Sequence, residues 1–212
     1  MPWPKPVIPT KYHIVLAQIV AETSWLPDPA VVRVFPGPVF PTIRKKKDAE
    51  IGTSVTDASG VLIGMYDNNT TPKLAIGWTH GLASSTKGWT IAHIWPSSED
   101  VNSYTNLANL ALVPEALSTT TDKDGPLTSY LRWHAWEKYG WHPTGTPVPD
   151  KKPAGYSAIP WRYLKGLPHP KEAVQEKLES ITGQKLINLR KIMSAPGLVS
   201  YLKKDGIKAQ PR

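Results

Sequence analysis

The chain of 212 residues contains no cysteine, which excludes disulfide bonds, cysteine-ligated zinc sites and thiol catalysis together. It also lacks an apolar run near the roughly 18 residues that a membrane-spanning helix needs. Its first residues, Met1 to Pro6, carry neither a basic cluster nor the apolar stretch of a signal peptide. We therefore expect a cytoplasmic protein with no membrane segment.

Two common enzyme signatures are missing as well. The sequence has no glycine-rich phosphate loop of the nucleotide-binding types. It has no Gly-x-Ser-x-Gly element, which carries the nucleophile of many serine hydrolases. The function has to be sought in other motifs.

Proline and tryptophan are abundant, with 22 and 9 residues respectively. Many prolines predict extended segments and turns, and the tryptophans supply large apolar side chains for a core. Apolar periodicity and proline positions together predict a mixed α+β fold. We predict strands at residues 31–35, 61–66, 88–95 and 110–113, and helices at residues 11–23, 71–81, 127–139, 157–165, 170–181, 185–194 and 197–204.

The positive charge of the chain is concentrated in its last third. Residues 1–150 hold 12 Lys and Arg against 13 Asp and Glu, whereas residues 151–212 hold 13 against 4. The proline-, glycine- and threonine-rich stretch at this change predicts a mixed body over residues 1–145, a linker over 146–156 and a basic helical region over 157–212. A basic segment on a near-neutral body is typical of a phosphate-binding surface, and a solvated face that aids solubility is the plainer alternative. We expect double-stranded DNA as the partner and regard a homodimer as compatible with the sequence. The cations expected to contact it are Arg162, Lys165, Lys185, Arg190, Lys191, Lys203 and Lys204.

Two short elements in the middle of the chain carry the strongest chemical signal. His93-Ile94-Trp95-Pro96 ends a predicted strand, and Asn109-Leu110-Ala111-Leu112 begins the next one. The pair, with the polar loop between its parts, resembles the HNH family of metal-dependent nucleases, which have a ββα-metal core. The resemblance covers residues 89–122. It implies an endonuclease that hydrolyses DNA phosphodiester bonds with Mg²⁺ or Mn²⁺.

The resemblance also implies roles for individual residues. His93 would be the general base, because an imidazole can take a proton from water near neutral pH. Asn109 would brace the loop and orient His93. The family's usual ligand positions fall on Ala92 and Ser118, neither of which is a good Mg²⁺ ligand. The oxygen ligands left for the metal are Asn106, Asn109, Glu115 and Asp122.

The sequence is also compatible with other functions. If none of these oxygens binds a metal, the chain would be a non-catalytic DNA-binding or regulatory protein on a degenerate HNH-like scaffold. A third reading is an assembly protein with a tryptophan-rich interface, and His93 could also be a buried strand histidine without a chemical role. The basic run at residues 44–47 could contact phosphate, but a solvated turn is the commoner role of such a run. We expect His80 to face a helix C-terminus, His134 to lie in the core and Asp67 to form a turn.

Overall fold

The structure is a computed structural model that describes residues 8–83, 87–121, 125–181 and 184–194. It is a mixed α+β protein, as the sequence predicts. The helices are α1 (His13–Thr23), α2 (Pro29–Val34), α3 (Thr70–Thr79), α4 (Val101–Tyr104), α5 (Thr128–Tyr139), α6 (Pro170–Glu179) and α7 (Gln184–Met193). The strands are β1 (Thr42–Arg44), β2 (Ser54–Thr56), β3 (Leu62–Asp67), β4 (Trp89–His93) and β5 (Leu110–Pro114). Short 3₁₀ turns lie at Thr10–Tyr12, Leu107–Asn109, Glu115–Thr121 and Tyr156–Ala158.

The strand predicted at residues 31–35 is wrong, because the chain forms helix α2 there. Asp28 caps this helix, since its side chain accepts the Ala30 N–H at 2.7 Å. Pro29 occupies the first turn, where its fixed φ and missing N–H favour a helix start. These two signals outweigh the β preference of the valines that follow.

The helix predicted at residues 157–165 is also wrong. Only the 3₁₀ turn Tyr156–Ala158 forms there, and Pro160 disfavours helical geometry at the residue before it. The chain then runs extended, and Tyr163 forms an isolated parallel bridge with Leu26. The predicted last helix, at residues 197–204, lies outside the described residues.

In the described residues, the first three strands form one sheet in the order β1-β3-β2. Strand β1 runs parallel to β3, which sets Arg44 opposite Asp67 at the ends of both strands. Gly64 permits a close approach here, because a Cβ atom at this position would lie 2.5 Å from the Pro41 carbonyl oxygen. The Met65 N–H donates to that same oxygen at 3.0 Å.

Strands β4 and β5 form a separate antiparallel pair, with Trp89 opposite Pro114 and His93 opposite Leu110. The segment that joins them, residues 94–109, is called the β4–β5 loop below. Thr105 fixes this loop to the segment before β1. Its hydroxyl accepts the Phe40 N–H at 3.0 Å and donates to the Phe40 carbonyl at 2.7 Å.

The later helices share the hydrophobic core of the earlier elements. Leu164, Val174, Leu178 and Leu189 are buried in the same cluster as the residues of α1, β3 and β5. Among the described helices, none combines the length and the apolar character required to cross a bilayer.

Candidate active site

His93 is the last residue of β4, and one of its ring nitrogens is held in place. Nε2 lies 3.0 Å from the backbone carbonyl oxygen of Tyr104, which can only accept, so Nε2 carries the proton. In the neutral ring Nδ1 is then the acceptor, and it has no hydrogen-bond partner among the described residues. The ring is half-buried. His93 is thus set as a base with a fixed tautomer.

Asn109 crosses the β4–β5 loop and ties its two ends together. Its side-chain oxygen accepts the Trp95 N–H at 2.8 Å, and its amide donates to the Ser103 carbonyl at 3.0 Å. The residue is fully buried, so these bonds lie in a region of low dielectric. The carbonyl that holds His93 belongs to Tyr104, the neighbour of Ser103. Asn109 therefore fixes the part of the loop that fixes the imidazole.

Tyr104 packs directly against His93, and sequence analysis did not predict its role. Its ring stacks on His93 with centroids 5.3 Å apart and planes 5° from parallel. Its hydroxyl lies 3.1 Å from Oδ2 of Asp67 and 3.1 Å from Oδ1 of Asn69, and it accepts the Asn69 N–H at 2.8 Å. Burial, and then the charge of Asp67, raise the pKa of this hydroxyl above its ordinary value. It consequently stays protonated and donates to its acceptors.

Asp67 and Asn69 belong to the turn between β3 and α3. The Asp67 carboxylate accepts the N–H groups of Thr70 and Thr71 at 2.8 and 2.9 Å, so it satisfies donors at the start of α3. The expectation of a turn-forming Asp67 agrees with these bonds. Asn69 has a φ of 55°, a left-handed conformation that asparagine tolerates better than most residues.

Arg44 brings the positive charge of the site. It ends β1 opposite Asp67, and its backbone N–H donates to the Ser98 carbonyl at 2.8 Å, inside the β4–β5 loop. The side chain is exposed. No short-range sequence pattern links Arg44 to the β4–β5 loop, because its place there depends on the parallel pairing of β1 with β3.

The protonation state of His93 depends on its burial and on its neighbours Arg44 and Tyr104. Burial lowers the pKa of the imidazole, and the positive charge of Arg44 acts in the same direction. The hydrogen bond to the Tyr104 carbonyl opposes them in part. The net effect is a pKa below 6.5, so the ring is neutral and able to accept a proton at pH 7.

The expected metal ligands do not gather around His93. Ala92 offers no oxygen. Asn106 is buried, and its side-chain oxygen already accepts the Ala108 N–H at 3.0 Å. The Asn109 oxygen is likewise occupied by the Trp95 N–H.

Glu115 lies past the far end of the β4–β5 pair from His93. Its N–H donates to the Gly88 carbonyl, and about 14 Å of strand separates that end from His93 at ~3.4 Å per residue. The hydroxyl of Ser118 donates to the Glu115 carbonyl, and Asp122 lies outside the described residues. Within the described part of the chain, no group of three or more His, Asp or Glu side chains is arranged to hold a metal ion. Of the expected ligands that the structure describes, none therefore offers a free oxygen beside His93.

Of the cations expected to contact DNA, two are already engaged within the described residues. The Arg162 guanidinium lies 3.8 Å over the Trp25 ring and donates to the Glu22 carbonyl at 2.5 Å. Arg190 donates to the Glu179 carbonyl at 3.3 Å. Lys165 and Lys191 are exposed, as is the engaged Arg162. The Lys185 side chain, Lys203 and Lys204 fall outside the described residues.

No protein-family model, curated protein or solved structure matches the chain.

Proposed function

We propose that the chain is an endonuclease that hydrolyses phosphodiester bonds of DNA, with His93 as the general base. Residues 89–122 would then form the ββα-metal-like motif that the HNH resemblance implies. The observation that carries this proposal is the bond from Nε2 of His93 to the Tyr104 carbonyl. It leaves Nδ1 as the proton acceptor in a ring that is neutral at pH 7.

The chemistry assigned to His93 is a single proton transfer. Nδ1 takes a proton from a water molecule whose oxygen attacks the phosphorus atom. The bond from phosphorus to one sugar oxygen breaks, and that oxygen acquires a proton from solvent. Asn109 and Tyr104 act as positioning residues, since they hold the loop and the ring rather than touch the substrate.

Mg²⁺ or Mn²⁺ is a separate expectation, and no step above depends on it. We expect cleavage of supercoiled plasmid in millimolar Mg²⁺ or Mn²⁺ and its loss in excess EDTA. Cleavage that persists in EDTA would remove the metal from the proposal and leave His93 in place.

The decisive experiment compares His93→Ala with His169→Ala. A positioned general base contributes about 10²- to 10⁴-fold, so His93→Ala should lower the cleavage rate by at least about 100-fold. His169 is exposed and forms no side-chain cap bond, so its variant should cut like the wild type. Equal cleavage by wild type and His93→Ala would overturn the assignment of the base.

The second candidate is a non-catalytic DNA-binding or regulatory protein. The observation that favours it is the lack of a free oxygen ligand at Ala92, Asn106 and Asn109. A wild type that binds duplex DNA without cutting it under any of the metal conditions would support this second function against the first.

A further inference from the structure

The basic run at residues 44–47 leaves the sheet at the end of β1, where the Arg44 N–H donates to the Ser98 carbonyl of the β4–β5 loop. Arg44 ends β1, and the Lys45 N–H donates to the Asp67 carbonyl at 2.8 Å, which continues the pairing with β3. Lys46 and Lys47 follow in an exposed turn that is closed by a bond from the Ala49 N–H to the Lys46 carbonyl. Four consecutive cations are thus anchored beside the β4–β5 loop rather than carried on a free segment.

The side chains of this run are available for a ligand. Arg44, Lys46 and Lys47 are exposed. Asp48 and Glu50 follow in sequence, yet no ion pair within the described residues joins them or any other carboxylate to the run. Lys152 and Glu137 form an ion pair elsewhere in the described residues. The four cations of the run are consequently not tied to a carboxylate in an ion pair of that kind.

Arg44 is also electrostatically coupled to the imidazole. Its charge lowers the pKa of His93 and acts on the Tyr104 hydroxyl in the same direction. A phosphate that contacts Arg44 would therefore lie within the electrostatic reach of the proposed base. The cations of the last third that the structure describes have no comparable link to His93, and Arg162 is already stacked and hydrogen-bonded.

We propose that Arg44 binds the phosphate group next to His93 and that Lys45, Lys46 and Lys47 bind the following phosphates of the same nucleic-acid strand. This inference rests on the proposed function in naming nucleic acid as the ligand. A guanidinium can meet two phosphate oxygens at once, whereas lysines act as point charges along a backbone. The run would thus set which phosphate reaches the base.

The binding test uses a fluorescein-labelled 20-base-pair duplex at several salt concentrations. Each lost phosphate contact flattens the log–log salt dependence by about 0.9, so Lys45→Ala/Lys46→Ala/Lys47→Ala should reduce the slope by about 2 to 3. The matched control is Lys151→Ala/Lys171→Ala/Lys177→Ala, which removes the same charge from three exposed lysines of the last third. We expect the control to keep most of the wild-type slope.

The cleavage test uses Arg44→Ala, with Arg44→Lys as the conservative variant. A charged group that contacts the reacting phosphate is worth about 10²- to 10³-fold, so Arg44→Ala should lose activity on that scale and Arg44→Lys should recover part of it. An NMR titration of the His93 ring checks that the variants are folded. It should give a higher pKa for His93 in Arg44→Ala than in Arg44→Lys, since only the former loses the positive charge.

The outcomes separate this inference from the nuclease proposal. If no protein cuts but the run variant binds duplex DNA more weakly than the control, the phosphate-binding run stands and the nuclease falls. If the run variant binds like wild type at every salt concentration and Arg44→Ala cuts like wild type, the run is a solvated turn and the inference is overturned.

Discussion

His93 makes two contacts with Tyr104: the two rings are stacked, and the imidazole Nε2 donates a hydrogen bond to the Tyr104 backbone carbonyl. One residue therefore fixes both the plane and the tautomer of the proposed base. Its hydroxyl in turn reaches Asp67 and Asn69, so the position of His93 is tied to the turn that follows β3.

Removal of the Tyr104 hydroxyl should cost stability and spare the hold on His93. Tyr104→Phe deletes a buried bond to a carboxylate, so we expect the free energy of unfolding to fall by about 1.5 to 3 kcal/mol. Tyr66→Phe is the control, since the Tyr66 hydroxyl has no hydrogen bond among the described residues and its loss should change stability by less than about 0.5 kcal/mol. Urea unfolding measures both. Equal midpoints for the two variants would show that the hydroxyl network contributes little.

Asn109→Ala should loosen the β4–β5 loop. It leaves the buried Trp95 N–H without a partner, at about 1 to 3 kcal/mol, and removes one of the bonds to the Ser103 carbonyl, which still accepts the Asn106 N–H. Asn68→Ala is the matched control, because Asn68 is exposed and forms no hydrogen bond within the described residues. Thermal unfolding should show a lower melting temperature for Asn109→Ala than for Asn68→Ala. At a temperature where both variants are folded, Asn109→Ala should also have the lower cleavage rate. A fully stable Asn109→Ala would contradict the role of the amide as a brace.

Substitution by alanine should change the free energy of unfolding in opposite directions at Gly64 and Gly77. Gly64→Ala puts a methyl group 2.5 Å from the Pro41 carbonyl oxygen, so the strand or the Pro41 segment must move, and we expect a loss of about 1 to 3 kcal/mol. Gly77→Ala lies in α3 with nothing within 4 Å of the added Cβ, and alanine is the better helix former by about 0.8 to 1 kcal/mol. Guanidinium unfolding of both variants checks the signs. A stabilised Gly64→Ala would mean that β1 and β3 are less closely apposed than described.

Acid should destabilise the protein through its buried histidines. Burial, and then the charge of Lys138, lower the pKa of His134 from 6.5 to about 3 in the fold. The unfolded chain therefore takes up a proton that the folded chain refuses. The stability from this group is complete above about pH 6.5 and is lost as the pH falls from there towards 3, with a slope near 1.4 kcal/mol per pH unit.

His80 adds to the same acid sensitivity. Burial lowers its pKa, and its Nε2 accepts the Asp28 N–H at 3.0 Å, a bond that protonation would break. Urea midpoints between pH 7 and pH 4.5 measure the combined slope. His134→Gln should lower this slope by the contribution of about one proton, whereas the control at the exposed His169, His169→Gln, should leave it unchanged. An unchanged slope in His134→Gln would rule out the buried imidazole as the cause.

The elements with a long repeating pattern were predictable from the sequence. Helices α1, α5 and α6 carry apolar positions at helical spacing or a proline at their start, and β4 and β5 are apolar runs bounded by turn residues. The errors at residues 31–35 and 157–165 arise where a cap or a proline acts against the local β or helix preference. Strands β1 and β2 are three residues long, too short to give a period.

The candidate site was accessible to sequence analysis only in part. His93 and Asn109 stand in recognisable spacing, and the structure brings both to the β4–β5 loop. Tyr104 was missed because its role depends on a stacked ring, and the basic run at residues 44–47 was noticed without its place beside the site, which depends on the pairing of strands about twenty residues apart. The one available hint at Arg44 was a β-branched pair, Thr42-Ile43, directly before the basic run.

The reciprocal bonding of Thr105 with Phe40 limits how far the His93 hairpin can be treated as a module. An excised peptide of residues 89–121 would lack Phe40, the partner of Thr105. It would also lack Asp67 and Asn69, the partners of the Tyr104 hydroxyl. Transplanting the two sequence elements onto another scaffold would therefore carry over the histidine without its fixed orientation. The smallest portable unit must begin before β1, at the segment that meets Thr105.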